Sequence, residues 1–283
     1  MIGALIGDVV GSRFEYLNNR NKDFPLFHRV STFTDDSVCS IAVAKALLDN
    51  ESKDKLSEDI KESLIYYAKK YPDRGYGPRF YDWVFYDEKH NPYNSCGNGS
   101  AMRVASVGWL ANSLEEAKEL ARISASVTHN HIEGIRGAEA VAACIYMARN
   151  NYSKEEIKEY IYDHYYLMLD YFEYDELLKY NNFDSTCQGS VPEAIYCFLI
   201  SDSFEDALRI AVSIGGDSDT IACITGAIAE AYYHNEKETR DVVEKFLSLK
   251  KIPDEFVEIV NRVMEGKWLS LLNMHVLFAI IIL

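Results

Sequence analysis

Apolar residues recur at spacings of three and four along most of the chain, the pattern of helices with one buried face. Segments in which apolar and polar residues alternate are nearly absent, so strands are not expected. The pattern predicts an all-α fold with helices in the segments 38–48, 56–67, 117–127, 132–147, 157–169, 191–199, 204–214, 221–233 and 242–247.

Polar residues at the starts of several segments agree with this prediction. Ser113, Ser153 and Ser203 each precede a pair of acidic residues, as helix N-caps do, and Ser153 is placed for a capping box. The segments IAVAKALL at 41–48 and IACITGAIAEA at 221–231 are rich in small residues. Because small side chains let helix backbones approach closely, we expect these two helices at the centre of a bundle.

No proline-rich or low-complexity linker divides the 283 residues, so a single domain is the simplest interpretation. The apolar stretch at 268–283 is shorter than the roughly 20 residues that span a bilayer, so no membrane span is expected. The first residues lack the basic start of a secretory signal, which favours the cytoplasm.

The formal net charge of −15 and the absence of a basic patch argue against binding to a nucleic-acid backbone. The six cysteines are scattered without CxxC spacing, and most lie in apolar helical segments. We therefore interpret them as reduced, structural residues.

Two segments place a threonine and two aspartates at the start of an apolar helix: TDDS at 34–37 and DSDT at 217–220. One explanation is independent helix capping, since Asp and Thr cap helices and acids complement the helix dipole. The other is a metal site, because carboxylates brought together need a cation. The acids are Asp35, Asp36, Asp217 and Asp219, with Glu15 as a further candidate for a binuclear site. Without His or Cys in either segment, oxygen ligation favours Mg²⁺ or Mn²⁺ over zinc.

Two further segments contain candidate binding residues. In NSCGNGSAMR at 94–103, Gly97 and Gly99 allow either close backbone approach to an anion or an ordinary tight turn. Arg103 could meet a phosphate or pair with an acid. In THNH at 128–131, the two histidines are more typical of cap or surface positions than of ligands.

Taken together, the motifs GALIGDVVGSRFE, TDDS, GNGSAMR, THNH and GGDSDT resemble, in this order, the ADP-ribosylglycohydrolase family over roughly residues 1–265. The resemblance implies a compact, largely orthogonal helical domain with two Mg²⁺ or Mn²⁺ ions in a cleft. It also implies hydrolysis of the glycosidic bond between ADP-ribose and an acceptor, commonly an arginine or serine side chain.

Matched position by position, the resemblance implies three sets of site residues. The metal ligands are Thr34, Asp35, Asp36, Asp217, Asp219 and Thr220. The substrate-binding residues are Gly97, Asn98, Gly99, Ser100, Ala101, Met102 and His129. Glu15 corresponds to an acid near the metals and the ribose, and we hypothesise that it positions or deprotonates water while Asp35 or Asp36 orients that water through the metal.

Other interpretations stay open. The same carboxylates would suit a dimetal phosphohydrolase acting on a nucleotide, and a family-like fold can also serve as a non-catalytic ADP-ribose-binding or structural protein. The tail at 266–283 has no counterpart in the family pattern. The tyrosine-rich segment 160–182 either forms a wall of the cleft, where rings could stack on adenine, or packs on the body of the domain.

Overall fold

The structure is a computed structural model in which residues 1–180 and 182–265 are described. Over those residues the chain forms helices and no strand, which confirms the predicted all-α class. The apolar tail at 266–283 lies outside the described residues.

The α-helices in chain order are α1 (Ile2–Gly11), α2 (Asp35–Asp49), α3 (Leu56–Lys70), α4 (Pro78–Phe85), α5 (Ala105–Leu110), α6 (Leu114–Ser126), α7 (Ile132–Arg149), α8 (Lys154–His164), α9 (Tyr174–Tyr180), α10 (Cys187–Leu199), α11 (Phe204–Ser213), α12 (Ser218–Tyr233), α13 (Lys237–Ser248) and α14 (Asp254–Met264). Single 3₁₀ turns lie at Lys53–Lys55, Asn98–Ser100 and Leu167–Tyr171.

Nearly all predicted helical segments fall on a helix, and the prediction for 157–169 is wrong in its extent. There α8 ends at His164, and a separate 3₁₀ turn follows. The N–H groups of Tyr165 and Tyr166 both bond to the carbonyl of Ile161, and Arg136 of α7 donates to the carbonyl of Tyr165. In a longer α8 the carbonyl of Tyr165 would accept a hydrogen bond from within the helix, but here it accepts one from Arg136 of α7.

The helix starts marked by serine are confirmed. The hydroxyls of Ser113 and Ser203 accept the N–H groups of Glu116 and Asp206. Ser153 forms the predicted capping box with Glu156. These caps satisfy N–H groups that the first turn of a helix leaves without an intrahelical partner.

The centre of the fold is the contact between α1 and α12, both of them almost entirely buried. Glycines at every fourth position of α1 face small residues at every fourth position of α12. A methyl group at Gly7 would lie 1.9 Å from the carbonyl oxygen of Ala222, and one at Gly3 would lie 2.3 Å from that of Gly226. Only glycine allows this approach, so α1 and α12 are held in one register.

Glu230 of α12 fixes the start of α1. Its fully buried carboxylate accepts the N–H groups of Ile2 at 3.2 Å and Gly3 at 2.7 Å, and it pairs with the amine of Met1. A buried carboxylate is stabilised when such donors replace water. The α1–α12 pair is therefore joined at one end by Glu230, and its other end carries acidic residues of the site.

Two smaller sequence predictions can be compared with the fold. All six cysteines are unpaired, as predicted, and all except Cys96 are buried. Among the described helices, none combines the length and apolar character that crossing a bilayer needs.

Candidate active site

A cavity of about 420 Å³ lies at the N-terminal ends of α2 and α12. Most of the predicted site residues line it: Glu15, Asp35, Asp36, Gly97, Asn98, Gly99, Met102, His129, Asp217, Asp219 and Thr220. We call its carboxylate side the acidic wall, formed by Glu15, Asp35, Asp36, Asp217 and Asp219. We call a second group of lining residues the glycine wall, formed by Arg79, Tyr93, Gly97, Gly99 and His129.

The acidic wall brings together carboxylates from distant parts of the chain. Oxygens of Asp8, Asp36 and Asp219 lie within 4.8 Å of one another, and so do oxygens of Glu15, Asp217 and Asp219. Asp219 belongs to both groups. The capping explanation does not account for this arrangement, because the side chain of Asp217 makes no cap hydrogen bond at the start of α12.

The threonines of the two motifs act differently. Thr34 is the N-cap of α2 and accepts the N–H of Asp36 at 3.3 Å. Thr220 lies within the first turn of α12, and its hydroxyl donates to Asp36 across the helix interface at 3.2 Å. Thr34 does not line the cavity, whereas Thr220 does.

Asp8 is a member of the carboxylate cluster that sequence reasoning missed. Its buried carboxylate accepts the hydroxyl of Thr34 at 2.7 Å and the backbone N–H groups of Thr34 and Ser37 at 2.9 and 3.0 Å. It also accepts the hydroxyl of Ser37. Asp8 therefore anchors the first turn of α2 to α1 while its oxygens remain close to Asp36 and Asp219. The available signal was an acid inside an apolar, glycine-rich helix.

Burial makes the acidic wall electrostatically unfavourable when no cation is bound. Burial raises the pKa of Asp36 and Asp219 well above the usual range, and neighbouring carboxylates raise both further. The pKa values of Asp217 and Glu15 are raised by the same main cause, and that of Asp8 is raised to about 6. Charged forms of these groups repel one another and lack water, so a cation would stabilise them.

The donor set fits a hard divalent cation. The carboxylate oxygens of the two groups and the hydroxyl of Thr220 beside Asp36 are donors of the kind that Mg²⁺ and Mn²⁺ favour. One buried oxygen, Oδ1 of Asp36, has no hydrogen-bond partner. Because a buried carboxylate oxygen without a partner is costly, this atom is a suitable ligand position.

Asn98 connects the two walls. Its amide donates to Asp217 at 2.7 Å and to the hydroxyl of Ser190 at 3.1 Å. The segment around it is held to the start of α10, since the N–H of Asn98 bonds to the carbonyl of Ser185 at 2.8 Å. Asn98, predicted to bind substrate, thus also orients a predicted metal ligand.

His129 lies against the predicted glycine segment. A methyl group at Gly99 would lie 3.1 Å from its Nε2 atom, and its Nδ1 atom is 2.6 Å from the hydroxyl of Thr128. Burial lowers the pKa of His129 well below its usual value, so the imidazole is neutral near pH 7. Its neighbour His131 instead caps α7 by accepting the N–H of Glu133 at 3.1 Å.

The remaining residues of the glycine segment point elsewhere. Ser100 and Ala101 are buried and do not line the cavity, and the hydroxyl of Ser100 donates to the carbonyl of Gly134 at 2.7 Å. The expectation that Arg103 pairs with an acid is wrong, and a phosphate contact of Arg103 stays a prediction. Its buried guanidinium lines the cavity but donates to Ser124 and Thr128, and it pairs with no acid in the described part of the chain.

Two exposed rings lie at the cavity beside Glu15. Tyr16 and Phe183 line the cavity, and their ring centroids are 6.3 Å apart in a stacked arrangement. A hydrogen bond to Glu15 raises the pKa of Tyr16 to about 12. None of the described residues within 160–182 lines this cavity, which favours packing on the body for that tyrosine-rich segment.

The profile of the ADP-ribosylglycohydrolase family matches residues 1–268, so the chain belongs to this family. It is similar to the ADP-ribosylhydrolase ARH3 of Homo sapiens (29% identity, covering 82% of this chain and 84% of the relative) and of Mus musculus (28%, covering 84% and 83%). An uncharacterised protein of Archaeoglobus fulgidus is 30% identical over 82% of this chain and 85% of its own length.

A solved structure of an ADP-ribosylglycohydrolase-related protein complex has the same fold, with a TM-score of 0.66 at 20% identity. The structural match covers 88% of this chain and 93% of the chain in the solved structure. The family membership supports hydrolase activity on ADP-ribosylated substrates. The family is metal-dependent, and the acidic residues of this chain could hold a metal.

Proposed function

We propose that the protein is a Mg²⁺-dependent hydrolase that cleaves the glycosidic bond between ADP-ribose and an acceptor. The observation that carries the proposal is the convergence of buried and half-buried carboxylates on Asp219, which belongs to two groups whose oxygens lie within 4.8 Å of one another. Two ions would be held by the acidic wall together with Thr34 and Thr220, and Asp8 would support them. Mn²⁺ would suit the same donors.

The chemistry divides between the ions and the chain. A bound divalent ion supplies Lewis-acid charge that lowers the pKa of water and orients hydroxyl groups. The chain supplies Glu15, whose raised pKa and position in the cavity suit a base that accepts a proton from the attacking water. As the acceptor leaves, positive charge develops at the anomeric carbon of the ribose, and nearby carboxylates stabilise it.

The glycine wall would hold the rest of the substrate. Gly97 and Gly99 keep the backbone free of side chains beside the neutral imidazole of His129. Met102 adds an apolar surface to the same cavity. We propose that this wall binds the ADP portion while the reacting ribose faces the acidic wall.

The test is incubation with arginine, serine and nucleotide substrates carrying ADP-ribose, with and without Mg²⁺, followed by measurement of free ADP-ribose. We expect Mg²⁺-dependent release from at least one substrate. Release of phosphate instead would support the dimetal phosphohydrolase, and absence of both products with intact ADP-ribose binding would support a binding protein. The acceptor, the ion and a cytoplasmic location stay predictions.

A further inference from the structure

The cavity carries opposite charges on its two walls. The acidic wall is formed entirely by carboxylate residues, and the cations that line the cavity are Arg79 and Arg103. The protein has a formal net charge of −15, and these two arginines line the same cavity as a cluster of carboxylates. A ligand with separate anionic and neutral parts would be oriented by this difference.

Arg103 has little capacity to contact a ligand. It is buried, and its guanidinium donates to the carbonyl and hydroxyl of Ser124 and to the hydroxyl of Thr128. Its charge contributes to the potential of the cavity, but its donors are directed into the protein.

Arg79 differs in each of these respects. It is exposed near the start of α4, and it forms no ion pair with any described residue. Its guanidinium lies over the ring of Tyr93, with 4.9 Å to the ring centroid, and Nη2 donates to the carbonyl of Tyr93. Stacking and this hydrogen bond hold the guanidinium in place, while its remaining N–H groups can meet a ligand.

Tyr93 places Arg79 beside the predicted substrate segment. The ring of Tyr93 is 5.8 Å from that of His129, and His129 in turn contacts Gly97 and Gly99. The positive charges of Arg103 and Arg79 both contribute to the lowered pKa of His129. Arg79, Tyr93, His129 and the two glycines therefore form one continuous surface.

The geometry points to Arg79 as a residue that binds the diphosphate of the substrate, an inference that rests on the proposed function. The diphosphate is the anionic part of an ADP-ribosyl group, and the acidic wall would repel it. The guanidinium matches phosphate oxygens in shape and charge, and Tyr93 already orients it. Arg79 would thus set which way round the substrate enters the cavity.

The test is calorimetric titration of the full chain with ADP-ribose in Mg²⁺, comparing wild type with Arg79→Gln and Arg79→Lys. A charge-assisted hydrogen bond predicts that Arg79→Gln weakens binding about 10- to 100-fold. Arg79→Lys should restore part of the loss, because it keeps the charge but not the planar fork. The matched control is Lys237→Gln, which removes one positive charge at an exposed residue that does not line the cavity.

The salt dependence of ADP-ribose affinity distinguishes a direct contact between Arg79 and the diphosphate from a distortion of the glycine wall by the substitution. If Arg79 meets the diphosphate, wild-type affinity falls more steeply with added NaCl than that of Arg79→Gln. Equal slopes, or an unchanged affinity in Arg79→Gln, would overturn the inference while the proposed function stands. If wild-type protein fails to bind ADP-ribose at all and releases none from the substrates, the proposed function fails, and this inference fails with it.

Discussion

The acidic wall and the glycine wall of the cavity are built in different ways. Most of the acidic wall lies on or at the start of α2 and α12. Asp8 of α1 holds the start of α2 through hydrogen bonds from Thr34 and Ser37. The glycine wall consists largely of segments between helices, around residues 93–99 and 128–129, with exposed Arg79 at its edge.

This difference follows from what each wall must hold. Carboxylates that repel one another keep a fixed arrangement only when rigid backbone positions them, and the glycine contacts between α1 and α12 provide that rigidity. A surface that contacts a substrate needs open backbone and reachable side chains instead. Substitutions in the acidic wall should therefore reduce turnover, whereas those in the glycine wall should reduce affinity.

The largest effect is expected for Asp219→Ala. Asp219 belongs to both carboxylate groups, so its loss would disturb both predicted ion positions. We expect no detectable release of ADP-ribose, a loss greater than the roughly 10²- to 10⁴-fold contribution of one general base. Asp241→Ala, at an exposed position of α13, is the control and should keep full activity. Wild-type rates in metal-stripped Asp219→Ala protein would refute the assignment.

Glu15→Gln should lower turnover roughly 10²- to 10⁴-fold, because the amide cannot accept the proton of water. ADP-ribose binding should change little, since the side chain keeps its size. The wild-type rate should fall at low pH with an apparent pKa above the ordinary glutamate value, as burial raises the pKa of Glu15. The rate–pH profile of the variant should lack this step. An unchanged profile would assign the base to another group.

Asp8→Asn should weaken metal binding roughly 10- to 100-fold, the usual effect of losing a residue that orients metal ligands. The amide has one acceptor oxygen where the carboxylate uses two to hold Thr34 and Ser37. Titration with Mn²⁺ would measure the change. Asp49→Asn at the far end of α2 is the control, and equal affinity in the two variants would contradict this role.

The sequence predicted much of the acidic wall. Acids at the start of apolar helices signalled Asp35, Asp36, Asp217 and Asp219, and the structure brings these residues together around one cavity. Amphipathic helices were equally visible, because a solvated face gives a period to the apolar residues. The roles of these four aspartates as metal ligands stay a prediction.

The missed features have a physical reason in each case. All ten residues of α1 are buried, so this helix has no polar face and its apolar residues show no helical period. Without that period, the sequence does not indicate that Asp8 lies on a helix that contributes to the site. Gly3, Gly7 and Gly11 were the available signal for a close helix contact. The partners of Arg103 are hydroxyl and carbonyl groups brought near only by tertiary folding, so no local pattern could identify them.

Gly7→Ala should destabilise the fold by about 1–3 kcal/mol, the usual cost of an overpacked core. The added methyl would meet the carbonyl of Ala222 at 1.9 Å and push α1 away from α12. Gly77→Ala is the matched control beside the glycine wall, where a methyl meets nothing within 4 Å. Urea unfolding would measure both. Similar losses in the two variants would contradict the view that the acidic wall depends on closer packing.

The smallest expected effect is on the pH dependence of stability, to which the two walls contribute with opposite sign. The midpoint of unfolding in EDTA would measure it. Burial raises the pKa of Asp8 from 3.8 to about 6, so between these values the folded state binds more protons than the unfolded state. The pKa values of Asp36 and Asp219 in the acidic wall are raised in the same direction, so stability from these buried carboxyl groups is present near pH 4 and is lost as the pH rises, through about 6 for Asp8. His129 has a lowered pKa, so its contribution is present above 6.5 and is lost as the pH falls.

Two variants separate these contributions. Asp36→Asn removes a buried carboxylate whose own pKa is raised and which raises that of Asp219, so it should flatten the loss of stability as the pH rises above the ordinary aspartate pKa, by about a few degrees in the midpoint. His129→Gln should flatten the loss on the acidic side and leave the other limb unchanged. If both variants retained the wild-type pH profile, the two walls would not differ in charge burial, and the electrostatic contrast between them would be wrong.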